Sequence, residues 1–204
     1  MKPGQRSLAA TALATLLGIG VFWWGTDGFS AFTAETARRV EVLRSPRTLP
    51  AAVLEDQDGR VFRLSEYQGR LLAVEFIYTR CATVCRSLGM AFRQIRERLP
   101  QAALGRDIAL LSISFDAQRD DPASLRTYGR NFGADGEHWR IARVRSPAEL
   151  EALLAAFGVV VVPDGLGGFE HNAAIHLLGR DGKLAQISDI DQPLAFAEKI
   201  ATQL

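Results

Sequence analysis

The stretch that most limits what this chain can become runs from Leu71 to Arg86. Leu71 to Tyr78 is almost continuously apolar, broken only by Glu75, and it leads directly into Thr79-Arg80-Cys81-Ala82-Thr83-Val84-Cys85-Arg86. A short run of that composition is a strand buried on both faces, and such a strand belongs at the centre of a sheet covered by a layer on each side. Cys81 and Cys85 are the two cysteines of the chain. Four residues apart, they lie on the same side of a single helical turn, so their sulfurs can share one metal ion or oxidise to a disulfide. The chemistry is expected there.

With 204 residues, 48% of them apolar, the chain has material for one domain with a core and an appendage. A formal net charge of +1 provides no basic footprint for nucleic acid. Two closely spaced thiols cannot staple a domain of this size, so they read as a redox or metal pair.

Lys2 and Arg6 precede about 17 uncharged residues, Leu8 to Trp24, which end on Phe22-Trp23-Trp24. This length spans a bilayer, and the tryptophan pair suits the interface. A cleaved signal peptide is the rival reading, but a cut at Ala31 or Ala34 would put Phe29 or Phe32 at position −3, where a small residue is needed. The expectation is a retained single-pass anchor over residues 1–24, in a bacterial inner membrane, with its basic end in the cytoplasm. Residues 25–47 then read as a tether, with a short helix over Thr33–Arg44, and 48–204 as the soluble domain on the periplasmic side.

Within that domain, Ala52–Leu54 and Val61–Leu64 flank a turn at Asp56-Gln57-Asp58-Gly59 and predict a hairpin. Leu88, Ala91, Phe92, Ile95 and Leu99 recur at helical spacing until Pro100. Ile108–Phe115 is a second buried strand, Pro122–Phe132 a helix, and Trp139–Val144 a short strand. A capping box with proline in the first turn opens another helix at Ser146, ending at Gly158. Val159–Val162 is extended, Asn172–Leu178 and Leu184–Ile187 form a hairpin turning at Asp181-Gly182, and Pro193–Leu204 closes as a helix. The alternation describes an α/β sandwich with a mixed sheet.

Cys81 falls in the turn after the central strand and Cys85 in the first turns of the following helix. The helix N-terminus, with Arg80 and Arg86 beside it, is expected to favour thiolate, which soft cations such as Cu(I) or Zn(II) require. Two thiolates leave such an ion short of ligands, and the chain has three histidines. His138 lies in a polar loop. His171 and His176 are five apart around the start of one predicted strand and so point to opposite faces. His171, beside the Gly165-Leu166-Gly167-Gly168 loop, is the better third ligand, and His176, between Ile175 and Leu177, reads as packed.

Four blocks of sequence resemble the Sco (SenC) proteins that help to assemble the binuclear copper centre of cytochrome c oxidase. They are Phe76-x-Tyr78-Thr79-x-Cys81-x-x-x-Cys85; Ser114-Phe115-Asp116 with Arg119-Asp120-x-Pro122; Trp139; and Phe169-Glu170-His171 with Leu177–Gly182. The similarity spans about residues 50–204. It implies a thioredoxin-like fold with an N-terminal transmembrane helix, a copper site made by Cys81, Cys85 and His171, and supporting carboxylates at Asp116 and Asp120. There they would orient His171 or bias docking, or serve only as a helix cap and a loop acid. The family commonly has proline after each cysteine, where this chain has Ala82 and Arg86.

Two functions from different classes fit these residues. One is a copper metallochaperone, taking its ion from another copper chaperone and passing it to an apo partner, cytochrome c oxidase subunit II by the resemblance. The other is an enzyme, a thiol-disulfide oxidoreductase using Cys81 and Cys85 as its catalytic redox pair on a copper-accepting partner. The extra residue relative to C-x-x-C favours the first.

Overall fold

The structure, a computed structural model, describes residues 3–26, 28–29, 33–81 and 84–204. The chain divides into two units, residues 1–44 and 45–204. In the first, helix α1 (Pro3–Gly25) is followed by helix α2 (Ala34–Arg44). Its apolar part, Ser7–Gly25, has 19 residues with none buried. At 1.5 Å per residue it is about 28 Å long, enough to cross the hydrocarbon of a bilayer. A signal sequence meets the same criterion.

The second unit is built on the strand that the sequence singles out. Strand β3 (Leu71–Ile77) is buried at every residue, and so is β4 (Ile108–Ser114), which runs parallel to it from Leu71↔Ile108 to Ile77↔Ser114. Strand β5 (Trp139–Val144) adds in parallel to β4. Beyond β5 lies the antiparallel hairpin of β1 (Val53–Asp56) and β2 (Val61–Arg63). On the other side of β3, β8 (Ile175–Leu178) and β9 (Leu184–Ser188) pair antiparallel, giving the order β2-β1-β5-β4-β3-β8-β9. The terminal hairpin turns at Gly182, whose φ of 77° suits glycine. Arg47 exchanges both backbone hydrogen bonds with Leu184 at 3.0 and 2.9 Å.

Helices α3 (Val84–Arg98), α4 (Pro122–Phe132), α5 (Pro147–Phe157) and α6 (Pro193–Ala201) cover the sheet. Phe76 of β3 meets Phe157 of α5 edge-on at 4.9 Å, while Phe92 of α3 packs on Trp139 at 5.8 Å. Neighbouring residues of a strand point to opposite faces, so Glu75 looks towards the layer that holds α3 and α4. Those two helices pack closely: a Cβ on Gly89 would lie 2.6 Å from the Phe132 ring.

Two sequence expectations are corrected. His171 does not stand at the entry of the strand that carries His176. His171 ends a separate strand, β7 (Phe169–His171), which pairs with β6 (Val161–Pro163) in a second, two-stranded sheet. The chain breaks after it because the Asn172 side chain accepts from Val160 N–H at 2.7 Å and donates to Gly158 C=O at 3.0 Å. That ties the segment to the end of α5 and delays β8 until Ile175. The cap of α4 is the second correction: Asp121, whose carboxylate accepts from Ser124 N–H at 2.8 Å, fills the place considered for Asp116 or Asp120.

Candidate metal centre

The carboxyl end of β3 delivers Thr79, Arg80 and Cys81 to the edge of the core, and α3 starts at Val84. Residues 82 and 83, including the Ala82 departure from the family pattern, lie outside the described residues. Cys81 is partly exposed and Cys85 fully buried, with no disulfide between them. The Cys81 sulfur accepts the Cys85 backbone N–H at 3.3 Å, a hydrogen bond from the open end of α3. On the other side, Cys85 Sγ lies 4.0 Å from His171 Nε2.

That spacing suits a shared ion. With thiolate–metal and imidazole–metal distances of about 2.3 and 2.0 Å, a sulfur and a nitrogen at 120° on one metal stand about 3.7 Å apart. Among the described residues no three His, Cys, Asp or Glu side chains are already drawn tightly enough together to hold an ion. Two sulfurs and one imidazole form a soft set, suited to Cu(I) before harder divalent ions.

His171 is held by aromatic packing. Its ring meets Phe115 at 5.1 Å, and Phe115, Phe169 and Tyr78 meet one another at 5.3–5.6 Å. Tyr78 Oη donates to Phe169 C=O and accepts Phe169 N–H, both at 3.3 Å, so the end of β3 is joined to β7. The β6–β7 loop is fixed from below, where Arg119 donates to Gly167 C=O at 2.8 Å. Burial holds the His171 imidazole below its usual range, which keeps it neutral and able to act as a ligand. Its Nδ1 is buried without a hydrogen-bond partner among the described residues.

Among the described residues, neither Asp116 nor Asp120 is hydrogen-bonded to His171. Asp120 is fully buried and accepts Thr79 N–H at 2.9 Å, Thr79 Oγ–H at 2.6 Å and Ser114 Oγ–H at 2.5 Å. It fixes the peptide two residues before Cys81 to the end of β4. Asp116 pairs with Arg80 at 3.3 Å and Arg119 at 3.7 Å. Arg80 thus shares the Asp116 carboxylate with Arg119. Cys85 departs from the expected thiolate, because burial pushes its thiol up rather than down.

The other histidines take the places read for them. His138 sits in its loop with Nδ1 3.0 Å from Asp135. His176 is buried between Phe76 and Phe157, at 5.7 and 5.1 Å. Sequence reasoning missed the aromatic box of Tyr78, Phe115 and Phe169. All three lie inside the motif blocks, but nothing in their spacing shows that they meet.

Comparison with known proteins settles the lineage. The family model described as SCO1/SenC matches residues 46–204. The chain belongs to the SCO1/SenC family. The SCO1 protein homolog of Bacillus subtilis is 26% identical over 132 residues, 64% of this chain and 67% of that protein. Bradyrhizobium japonicum ScoI, solved with copper bound, superposes with a TM-score of 0.66 at 24% identity, over 77% of this chain and 100% of that one. Yeast Sco1 with copper bound gives 0.64 at 19% identity, over 77% and 88%. At such identities the two structures speak for the fold alone, and this SCO1/SenC protein has the thioredoxin-like α/β fold that the resemblance implied.

Proposed function

We propose that this SCO1/SenC protein is a membrane-anchored copper metallochaperone, in which Cys81, Cys85 and His171 bind Cu(I) through two thiolates and one imidazole. The reading is carried by one observation, the approach of Cys85 Sγ to within 4.0 Å of His171 Nε2 beside a second sulfur. Copper bound in two solved relatives supports the choice of metal. Deprotonated sulfurs are required, so binding releases protons and weakens as pH falls.

Transfer proceeds by ligand exchange. Cys81 is the exposed donor, so an incoming partner thiolate displaces it first: one copper–sulfur bond forms as another breaks, and copper keeps its oxidation state. Cys85 and His171, set deeper, release last. The acceptor is the apo copper site of cytochrome c oxidase subunit II, the donor is another copper chaperone, and α1 anchors the protein in the bacterial inner membrane with the metal centre on the periplasmic side. Asp120 acts as a supporting residue through Thr79, and Asp116 by holding Arg80 and Arg119.

A second reading, a thiol-disulfide oxidoreductase acting on the partner's cysteines, has one observation in its favour: a partly exposed Cys81 beside a buried Cys85 suits attack by the first and resolution by the second. Copper titration separates the two. Wild type is expected to bind one equivalent of Cu(I), with either cysteine substitution weakening it, and His171→Ala to lower Cu(II) affinity at least about a hundredfold. Wild type binding Cu(II) no better than the variant, with Cu(I) binding indifferent to both cysteines, sinks the chaperone reading. Rapid turnover of a protein disulfide by metal-free reduced protein promotes the second.

A further inference from the structure

Strand β7 has little of its own to hold it in place. It pairs with β6 over three residues, and opposite Phe169 stands Pro163, which has no N–H to give. A two-stranded ladder this short is marginal by itself, so the place of His171 depends on what ties β7 to the rest of the fold. An extended residue turns its N–H and C=O to the same edge. At Phe169 one side chain takes both groups: the Tyr78 hydroxyl donates to the C=O and accepts the N–H, each at 3.3 Å.

That hydroxyl has a fixed position. Tyr78 is buried, with its ring against Phe115 and Phe169 at 5.4 and 5.3 Å. Gly168 lets the backbone come this close: a Cβ there would lie 3.1 Å from the hydroxyl oxygen and 2.6 Å from Asp164 Oδ2. Asp164 is itself committed, since its Oδ1 accepts Leu166 N–H at 2.7 Å and Gly168 N–H at 2.9 Å. Residues two apart on a strand share a face, so holding Phe169 sets the face on which His171 stands. Both rings meet Phe115, at 5.6 and 5.1 Å, and His171 Nε2 comes to 4.0 Å from Cys85 Sγ. A ligating histidine is ordinarily aimed by a hydrogen bond at its other ring nitrogen. Here Nδ1 is buried without one among the described residues, so the imidazole is aimed through the backbone of β7.

We propose that the Tyr78 hydroxyl is the positioning group for the His171 imidazole and thereby sets which oxidation state of copper the site favours, a role that rests on the copper reading above. Two thiolates suffice for a soft monovalent ion, whereas divalent copper draws on the harder nitrogen donor. Removing the hydroxyl releases β7 and leaves the Tyr78 C=O, which accepts Cys81 N–H at 3.3 Å, as it is. The donor it loosens is the imidazole.

The test uses the full-length chain in detergent, its Tyr78→Phe and His171→Ala variants, and the double variant. Against a chromophoric chelator, Tyr78→Phe is expected to bind Cu(I) as wild type does and Cu(II) about tenfold more weakly. The reduction potential of the bound ion should then rise by about 59 mV, the one-electron equivalent of that factor. In the His171→Ala background the hydroxyl has no imidazole to place, so Tyr78→Phe should lower Cu(II) affinity no further. In metal-free protein, hydrogen exchange at the Phe169 amide should quicken about tenfold in Tyr78→Phe. Equal Cu(II) affinity in wild type and Tyr78→Phe, or a loss that persists in the His171→Ala background, overturns the role of Tyr78 and leaves the copper reading standing. If wild type binds neither ion, the copper reading fails and the metal-free protein decides for Tyr78. Faster Phe169 exchange with shifted His171 ring resonances sustains the positioning, and unchanged spectra overturn it. Should Tyr78→Phe not fold, Gly168→Ala takes its place, because its Cβ crowds the same hydroxyl: selective loss of Cu(II) sustains the proposal, and unchanged Cu(II) affinity overturns it.

Discussion

At the scale of single residues, the site depends on what each side chain is denied as much as on what it touches. Burial pushes the Cys85 thiol up and holds the His171 imidazole below its usual range, so the one keeps its proton and the other stays neutral. Asp120 has no solvent either, and it accepts three hydrogen bonds from Thr79 and Ser114. Asp120→Asn replaces one accepting oxygen with an amide that faces donors, leaving a buried group unsatisfied. The variant is expected to lose about 1–3 kcal/mol of stability, read as a lower urea midpoint. Its copper affinity should fall as well, because Thr79 sets the path of the chain into Cys81. Unchanged unfolding would show that the three hydrogen bonds are replaceable. The sequence made Cys81, Cys85 and His171 legible as residue types in a pattern. It left Asp120 undecided between support and cap, since the cap belongs to Asp121, one position on, and only the path of the chain separates them.

At the scale of elements, local rules served where the sequence carried its own punctuation. Ser146-Pro147, Gly158 and Asp181-Gly182 mark ends and turns that the structure keeps. They failed around His171, where Asn172 bonds backbone across twelve and fourteen residues, the strand expected from Asn172 begins only at Ile175, and His171 falls in a strand of its own. The loop that leads into β5 is similarly self-built. Asp135 is half-buried, and burial raises its carboxyl less than N–H donors at Trp139, Glu137 and His138 lower it, so that it falls to about 2. A carboxyl held below its usual 3.8 contributes stability that is full above that value and is lost as pH falls towards 2. Asp135→Asn is expected to flatten this acid limb and to cost about 1 kcal/mol at neutral pH, a value discounted for partial exposure. Thermal unfolding from pH 7 down to 2 checks it; an acid limb of unchanged steepness would place the acid sensitivity elsewhere.

At the scale of the whole molecule, the chain divides into an apolar N-terminal helix with α2 and a sheet-centred unit. If α1 is retained as an anchor, full-length protein expressed in a bacterium should stay with membranes through high salt and carbonate washes, while residues 45–204 alone should be soluble and bind Cu(I) equally. A mature N-terminus found by mass analysis near Ala34 would refute retention. What the sequence determined by itself is the class of fold and the chemistry on offer. An uninterrupted apolar run demands a two-sided cover, and a pair of thiols four apart demands a shared fate; both are local facts, set by periodicity and by the reach of a helical turn. What the tertiary structure decided is which distant groups meet. His171 comes to Cys85 across 86 positions because β7 is joined to the end of β3 through Tyr78. Glu75, an interruption in a pattern when read along the chain, becomes a buried acid bonded to Ser112 because β4 and β5 bring Ser112 and Trp139 beside it. Spacing along a chain encodes neighbours within a turn or a strand. The dielectric around a carboxyl, and the third ligand of an ion, are set by whatever the rest of the fold packs against them.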